Sequence, residues 1–154
     1  MQQWNILIVD DKPYFRSAFR LMLMSNYWHK IEKISEVVNV SDFLSTIKKI
    51  PINLVFIETE LHDMNGIDLT ILALQKNPDL LIYALSYFDV DENMNAMINA
   101  GAKGFISKNE DINYRLNLIL NGNDCIEKGK KGNNQMMDKH KLKYPSFNNI
   151  GKLP

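Results

Sequence analysis

Cysteine is nearly absent from this chain: Cys125 is the only one in 154 residues. A single thiol cannot close an internal disulfide, which suits a reducing compartment. Long apolar runs are missing too. Nowhere do about 18 apolar residues follow one another, as a membrane-spanning helix requires. The start, Met-Gln-Gln-Trp, lacks a basic region followed by an apolar stretch, so no secretory leader is expected. These absences point to a cytoplasmic protein without membrane contact. Net charge is also lacking, with 18 Lys and Arg against 18 Asp and Glu. The zero hides an asymmetry. Residues 122–154 carry seven Lys against three acids, whereas residues 1–121 carry eleven basic residues against fifteen acids. A mildly acidic body does not argue for nucleic-acid binding.

What is present is apolar patterning sufficient for one domain, long enough to fold without metal or disulfide. Five short apolar runs alternate with five helical patterns. Residues 5–9 read as a buried strand ending at Asp10-Asp11, and Pro13 suits the first turn of a helix through Met24. In that helix Phe15, Ala18, Phe19, Met22 and Leu23 share one face. A second strand lies within 31–39, and a short helix over 41–49 has Ser41 as its expected N-cap. Residues 53–58 form a third strand, ended by Glu58, before a helix over 67–76. A fourth strand over 80–85 ends at Ser86, and a weak helix over 89–100 follows. A fifth strand over 104–107 ends at Lys108, and the last helix runs over 111–120. Such alternation predicts an α/β fold, a parallel sheet covered on both faces. No internal repeat is visible. Residues 1–122 form the domain; 123–154 read as a basic linker or arm.

The chemistry collects at the strand ends. In open α/β sheets ligands bind beyond the carboxyl ends of the strands, and there this chain places Asp10, Asp11, Glu58, Ser86 and Lys108. Three converging carboxylates repel one another unless a cation lies between them. Hard oxygen donors suit Mg²⁺, while a hydroxyl and an ammonium suit phosphoryl oxygens. Singly, each residue is an ordinary turn or helix-start residue; their coincidence on matching strand ends favours a site.

With Ile-Leu-Ile-Val-Asp-Asp, Leu-Val-Phe-Ile-Glu followed by Met64-Asn-Gly66, Leu85-Ser86, and Ala-Gly-Ala-Lys-Gly-Phe-Ile-Ser-Lys at 100–108, residues 5–121 resemble the receiver domain of two-component response regulators. The resemblance implies a flavodoxin-like (βα)5 doubly wound sheet, order 2-1-3-4-5. It also implies a Mg²⁺ site at Asp10, Asp11 and the Glu60 backbone carbonyl. Glu58 stands at the phosphoacceptor position, Ser86 and Lys108 form the phosphoryl pocket, and Phe105 is the switch aromatic. The implied partners are a histidine kinase and a second copy through the face of helix 4, strand 5 and helix 5. That face would draw on Met94, Met97, Ile98, Tyr114 and Arg115, although the Met and Ile residues read more simply as core or partly buried helix positions. Residues 119–122 with the following linker resemble regulators of the LuxR/NarL type. Tyr144–Pro154 resembles the lead-in to a helix-turn-helix domain, so DNA contact is expected only through a domain outside this sequence.

Three departures mark the chain as atypical. The acceptor is Glu58 where the family has Asp, and an extra methylene displaces the nucleophile by over ~1 Å, which can cost on the order of 10²-fold. Tyr87 follows the switch hydroxyl where a small residue is usual. Asn109 follows Lys108 where Pro is usual, so a trans bond is expected there. His62 stands at a usual Pro position and reads as a loop residue. The leading expectation is a non-enzymatic pseudo-receiver, not normally phosphorylated, with Mg²⁺ weak or absent because the longer Glu58 displaces the ion or salt-bridges to Lys108 instead, and with kinase contact vestigial. One alternative is a working acceptor using Glu58 with Mg²⁺; another is a flavodoxin-like ligand-binding domain.

Overall fold

The computed structural model describes residues 3–124. In chain order the elements are β1 (Trp4–Val9), α1 (Pro13–Tyr27), a 3-10 turn (Trp28–Lys30), β2 (Ile31–Val37), α2 (Val40–Lys49), β3 (Leu54–Ile57), α3 (Gly66–Lys76), β4 (Leu81–Ser86), α4 (Asp91–Asn99), β5 (Gly104–Ser107) and α5 (Ile112–Leu120). The five strands form one parallel sheet in the order β2-β1-β3-β4-β5. This is the predicted doubly wound fold. The expectations for the segment after 124, a linker and a helix-turn-helix lead-in, lie outside the described residues.

The period-2 alternation of strand side chains divides the core. Ile6 and Ile8 of β1, with Phe56 of β3 and Leu85 of β4, face α1 and α5, meeting Phe19, Leu23, Leu116 and Ile119. Leu7, Val9, Val55, Ile57 and Ile82 face the other way, against Phe43 of α2 and Leu69 and Ala73 of α3. Met97 of α4 packs with Ala84 and Ala102 near the β5 edge. Burial on both faces explains why the strands read as unbroken apolar runs.

Several boundaries differ from the sequence reading for local reasons. Asn39, not Ser41, caps α2: its side chain accepts from the Asp42 N–H at 2.8 Å. Asn65 caps α3, accepting from the N–H groups of Ile67 and Asp68. α1 continues one turn past Met24, because Tyr27 is buried and its hydroxyl reaches Asn113 at 2.8 Å. Tertiary partners, not propensity, extend that helix. Among the described residues no helix is long and apolar enough to cross a membrane.

Register places the site. Val9 is paired with Ile57, so Asp10 and Glu58 leave adjacent central strands side by side. Ile57 is paired with Ala84 and Ser86 with Ser107, which brings Thr59, Ser86 and Lys108 to the same edge. Gly66 closes the loop beneath: a Cβ there would lie 2.4 Å from the Glu58 backbone oxygen and 2.9 Å from Thr59 Cα.

Candidate functional site

Lys108 is the centre of the site. Its ammonium donates to Asp10 Oδ2 at 2.5 Å and to Glu58 Oε2 at 2.6 Å, and its side chain is fully shielded from solvent. The third side of the ammonium rests on the Phe15 ring, 3.7 Å from the centroid, with Tyr87 at 5.2 Å. Phe15 and Tyr87 meet edge to face, their centroids 6.3 Å apart. A desolvated cation over an aromatic face gains up to ~2 kcal/mol. The two carboxylates complete its neutralisation.

The rest of Glu58 is held as tightly. Oε1 accepts from the Thr59 N–H at 2.7 Å and from the Glu60 N–H at 3.3 Å. Burial alone raises the Glu58 pKa. The Lys108 ammonium, the Ser86 hydroxyl and the Glu60 amide more than reverse that, leaving it below the ordinary value. The group is a buried anion with its charge compensated.

Ser86, fully buried, is tied to the same knot through Thr59. The Thr59 hydroxyl donates to Ser86 Oγ at 2.8 Å, and the Phe88 N–H donates to the same oxygen at 3.2 Å. Thr59 was not foreseen from the sequence. The only available signal was its position one residue beyond an acidic strand end, beside the future neighbour of Ser86.

Asn109 also has a definite part. Its Nδ2 donates to the Tyr87 carbonyl at 3.0 Å, and its N–H donates to Ser107 Oγ at 3.1 Å. Ser107 in turn donates to Asp89 Oδ2 at 2.5 Å, which lowers the Asp89 pKa. The β4–α4 loop is thus fastened to the end of β5. The Lys108–Asn109 bond is trans; the described residues contain no cis peptide bond.

The donors expected for Mg²⁺ do not fit a divalent ion as they are arranged. Asp10 Oδ1 accepts from the Lys12 N–H at 2.8 Å and Asp10 Oδ2 from Lys108, while Asp11 Oδ1 pairs with Lys12 Nζ at 2.8 Å. Three of the four carboxylate oxygens of the acid pair are therefore spoken for, and an ammonium stands between Asp10 and Glu58. Burial raises the Asp11 pKa, but Lys12 outweighs it and the carboxyl sits below its ordinary value. Glu60 is exposed, as is His62. Among the described residues no three His, Cys, Asp or Glu side chains are grouped to hold a metal.

Two further positions complete the comparison with the sequence reading. Phe105 is half-buried against Ala84, Met97 and Ala102 beneath α4. Met97 is fully buried, as its simpler reading as a core position expects, whereas Ile98 is 46% exposed. Met97 points inward because α4 turns that side, not the Ile98 side, to β5.

A parallel 2-1-3-4-5 sheet with acids ending its two central strands, and a hydroxyl and a lysine ending the next two, defines a two-component signalling domain. Residues 6–119 match the response regulator receiver domain family, and the chain belongs to that family. It is 30% identical over 110 residues to a protein-glutamate methylesterase/protein-glutamine glutaminase of Methanococcus maripaludis, covering 70% of this chain and 29% of that protein. It is 25% identical over 120 residues to the nitrate/nitrite response regulator protein NarP of Escherichia coli, covering 77% and 54%. It is 27% identical over 128 residues to the DNA-binding transcriptional activator EvgA of the same organism, covering 83% and 58%. The chain thus spans well under two thirds of these relatives. In fold it resembles the isolated receiver domain of RcsB from Salmonella enterica serovar Typhimurium in the presence of BeF3-, with TM-score 0.70 at 18% identity over 79% of this chain and 91% of that one. It likewise resembles the BeF3-activated receiver domain of DrrB, with TM-score 0.66 at 19% identity over 78% and 99%. Receiver domains work with histidine kinases, and in LuxR-type regulators they act through effector domains. Receiver domains typically bind Mg²⁺ at their phosphorylation site. Family membership replaces flavodoxin-type ligand binding as the account of this sheet edge.

Proposed function

We propose that this domain is a receiver whose switch is set by its own side chains rather than by phosphorylation. The observation that carries this reading is the Lys108 ammonium bridged between Asp10 and Glu58. In the family reading, Lys108 holds a phosphoryl oxygen; here the Glu58 carboxylate reaches that lysine directly. In that reading the Ser86 hydroxyl donates to a phosphoryl oxygen; here Ser86 Oγ is instead tied to its neighbour by accepting from the Thr59 hydroxyl. Phe15 and Tyr87 cover the ammonium, narrowing the approach of any donor. Lys108 takes over the charge balance that Mg²⁺ serves elsewhere, so ion binding at Asp10 and Asp11 is weak or dispensable. The domain then acts as a non-enzymatic interaction module in the cytoplasm, positioning a transcription effector attached after residue 124.

Incubation with Mg²⁺ and phosphoramidate, read by intact mass, tests this. The expected result is no phosphoryl adduct on the native chain, and partial adduct on a Glu58→Asp, Tyr87→Ala variant. A stoichiometric adduct on the native chain, lost in Glu58→Gln, would establish Glu58 as a working acceptor. The convergence of Asp10, Glu58, Ser86 and Lys108 at one sheet edge supports that second reading.

A further inference from the structure

The outer side of α4 has no partner within the described residues. Val90, the N-cap of α4, Met94 and Ile98 follow one another at four-residue spacing and so lie in one stripe. Val90 is 57% and Ile98 46% exposed. Asp89, Asp91 and Glu92, all exposed, rim the start of that stripe; Lys103, also exposed, is the nearby cation by sequence. The stripe is apolar with a negative margin.

The chain leaves the described region on the α5 side of the sheet near its β5 edge, and α4 packs against the other face of that edge. Asp124 is paired with Arg115 of α5 at 3.4 Å, and its side chain is only 11% exposed. Burial first, and then the Asp124 carboxylate, raise the pKa of Tyr83, which lies on the α5 side of β4. The same Arg115 lies against Gly104, at the start of the edge strand β5. From this anchor thirty residues follow, 125–154, with seven Lys against two acids. They include Met136, Met137, Tyr144, Phe147 and Ile150.

We propose that the basic segment 125–154 of this chain docks along the outer side of α4, its lysines against Asp89, Asp91 and Glu92 and its apolar residues on the Val90–Met94–Ile98 stripe. Charge complementarity selects this occupant: the segment is as clearly positive as the margin of the stripe is negative. Reach permits it. Ten extended residues cover ~33 Å, about three helix diameters of ~10–12 Å and enough to round the β5 edge, which leaves twenty for the ~13.5 Å length of the nine-residue α4. Tethering supplies an effective concentration of order millimolar, so contacts too weak to bind in trans are populated in cis. Docking would cover the face otherwise open to a second copy, and a partner would gain access by displacing the segment. The proposal is independent of how Glu58 and Lys108 behave.

The test uses the full chain with Cys125→Ser and Ser146→Cys, nitroxide-labelled at 146, and reads paramagnetic broadening of backbone amide signals. The expected result is broadening at Val90–Ile98, with peak intensities falling by roughly half or more, as for a tethered contact populated most of the time. It should fade at ~1 M NaCl, where the screening length is ~3 Å, and in the Asp91→Asn, Glu92→Gln variant. A mixture of labelled unenriched chain with unlabelled ¹⁵N chain should show none. Broadening in that mixture would replace the tail by a second copy. Broadening elsewhere, none at all, or broadening indifferent to salt and to the two neutralised acids would overturn the proposal.

Discussion

Replacing Lys108 by Met keeps most of the side-chain volume and removes the one cation between Asp10 and Glu58. The two carboxylates are 2% and 3% exposed, so water cannot substitute for the lost ammonium. Removing one partner of a buried pair costs ~3–5 kcal/mol, because a charge is left uncompensated. With a urea slope near ~2 kcal/mol per molar, the unfolding midpoint falls by roughly 1.5–2.5 M. The pH dependence changes sign. In the native chain the Glu58 pKa is lowered from 4.5, so its contribution is present above the unfolded value and is lost as pH falls through the lower folded value. In Lys108→Met, burial and the neighbouring Asp10 carboxylate are opposed only by the Ser86 hydroxyl and the backbone amides, and the Glu58 pKa rises. Folding then takes up a proton, and the variant gains stability as pH falls from 8 toward 5. Millimolar Mg²⁺ should restore part of the loss in the variant, because the acid pair is then free to accept it. Urea unfolding followed by circular dichroism at pH 5 and 8, with and without Mg²⁺, measures all three effects. A midpoint shift below ~0.5 M with unchanged pH dependence would refute the central place given to Lys108.

Three further expectations concern the scaffold. Phe19→Ala should destabilise by ~3–5 kcal/mol, since Phe19 is 1% exposed, stacks on Phe15 and meets Phe56 edge to face; thermal unfolding reads this. Asn65→Ala should cost ~1 kcal/mol by removing the α3 cap, visible as a lower urea midpoint with unchanged slope. Gly66→Ala should cost ~1–3 kcal/mol by forcing its Cβ into the Glu58 carbonyl, and amide exchange should rise at Glu58–Glu60.

Fold and site were legible to different depths. The strands were plain because both faces of the sheet are buried, which turns Ile-Leu-Ile-Val and Leu-Val-Phe-Ile into continuous apolar runs. α1 was read one turn short because nothing near Tyr27 in sequence announces Asn113. Asn39 and Asn65 were missed as caps because each stands in a loop whose geometry is settled by packing. Met97 and Ile98 are neighbours in sequence and opposites in space; the direction α4 turns toward β5 was not written in either residue. Thr59 escaped notice because its role depends on lying beside Ser86, 27 positions along the chain.

The sequence by itself determined the class: alternating strands and helices, acids and a lysine at strand ends, and hence the receiver fold. Only the tertiary structure decided what those ends do to one another. Lys108 meets Glu58 across 50 positions, a pairing the sequence offered only as an alternative to Mg²⁺, and Asp10 across 98, a pairing it did not name. Sheet register brings the three together, and the length of the Glu58 side chain lets it close on the ammonium. Burial then makes that closure energetically significant, because in a water-poor pocket each unpaired charge is costly and each paired one is held.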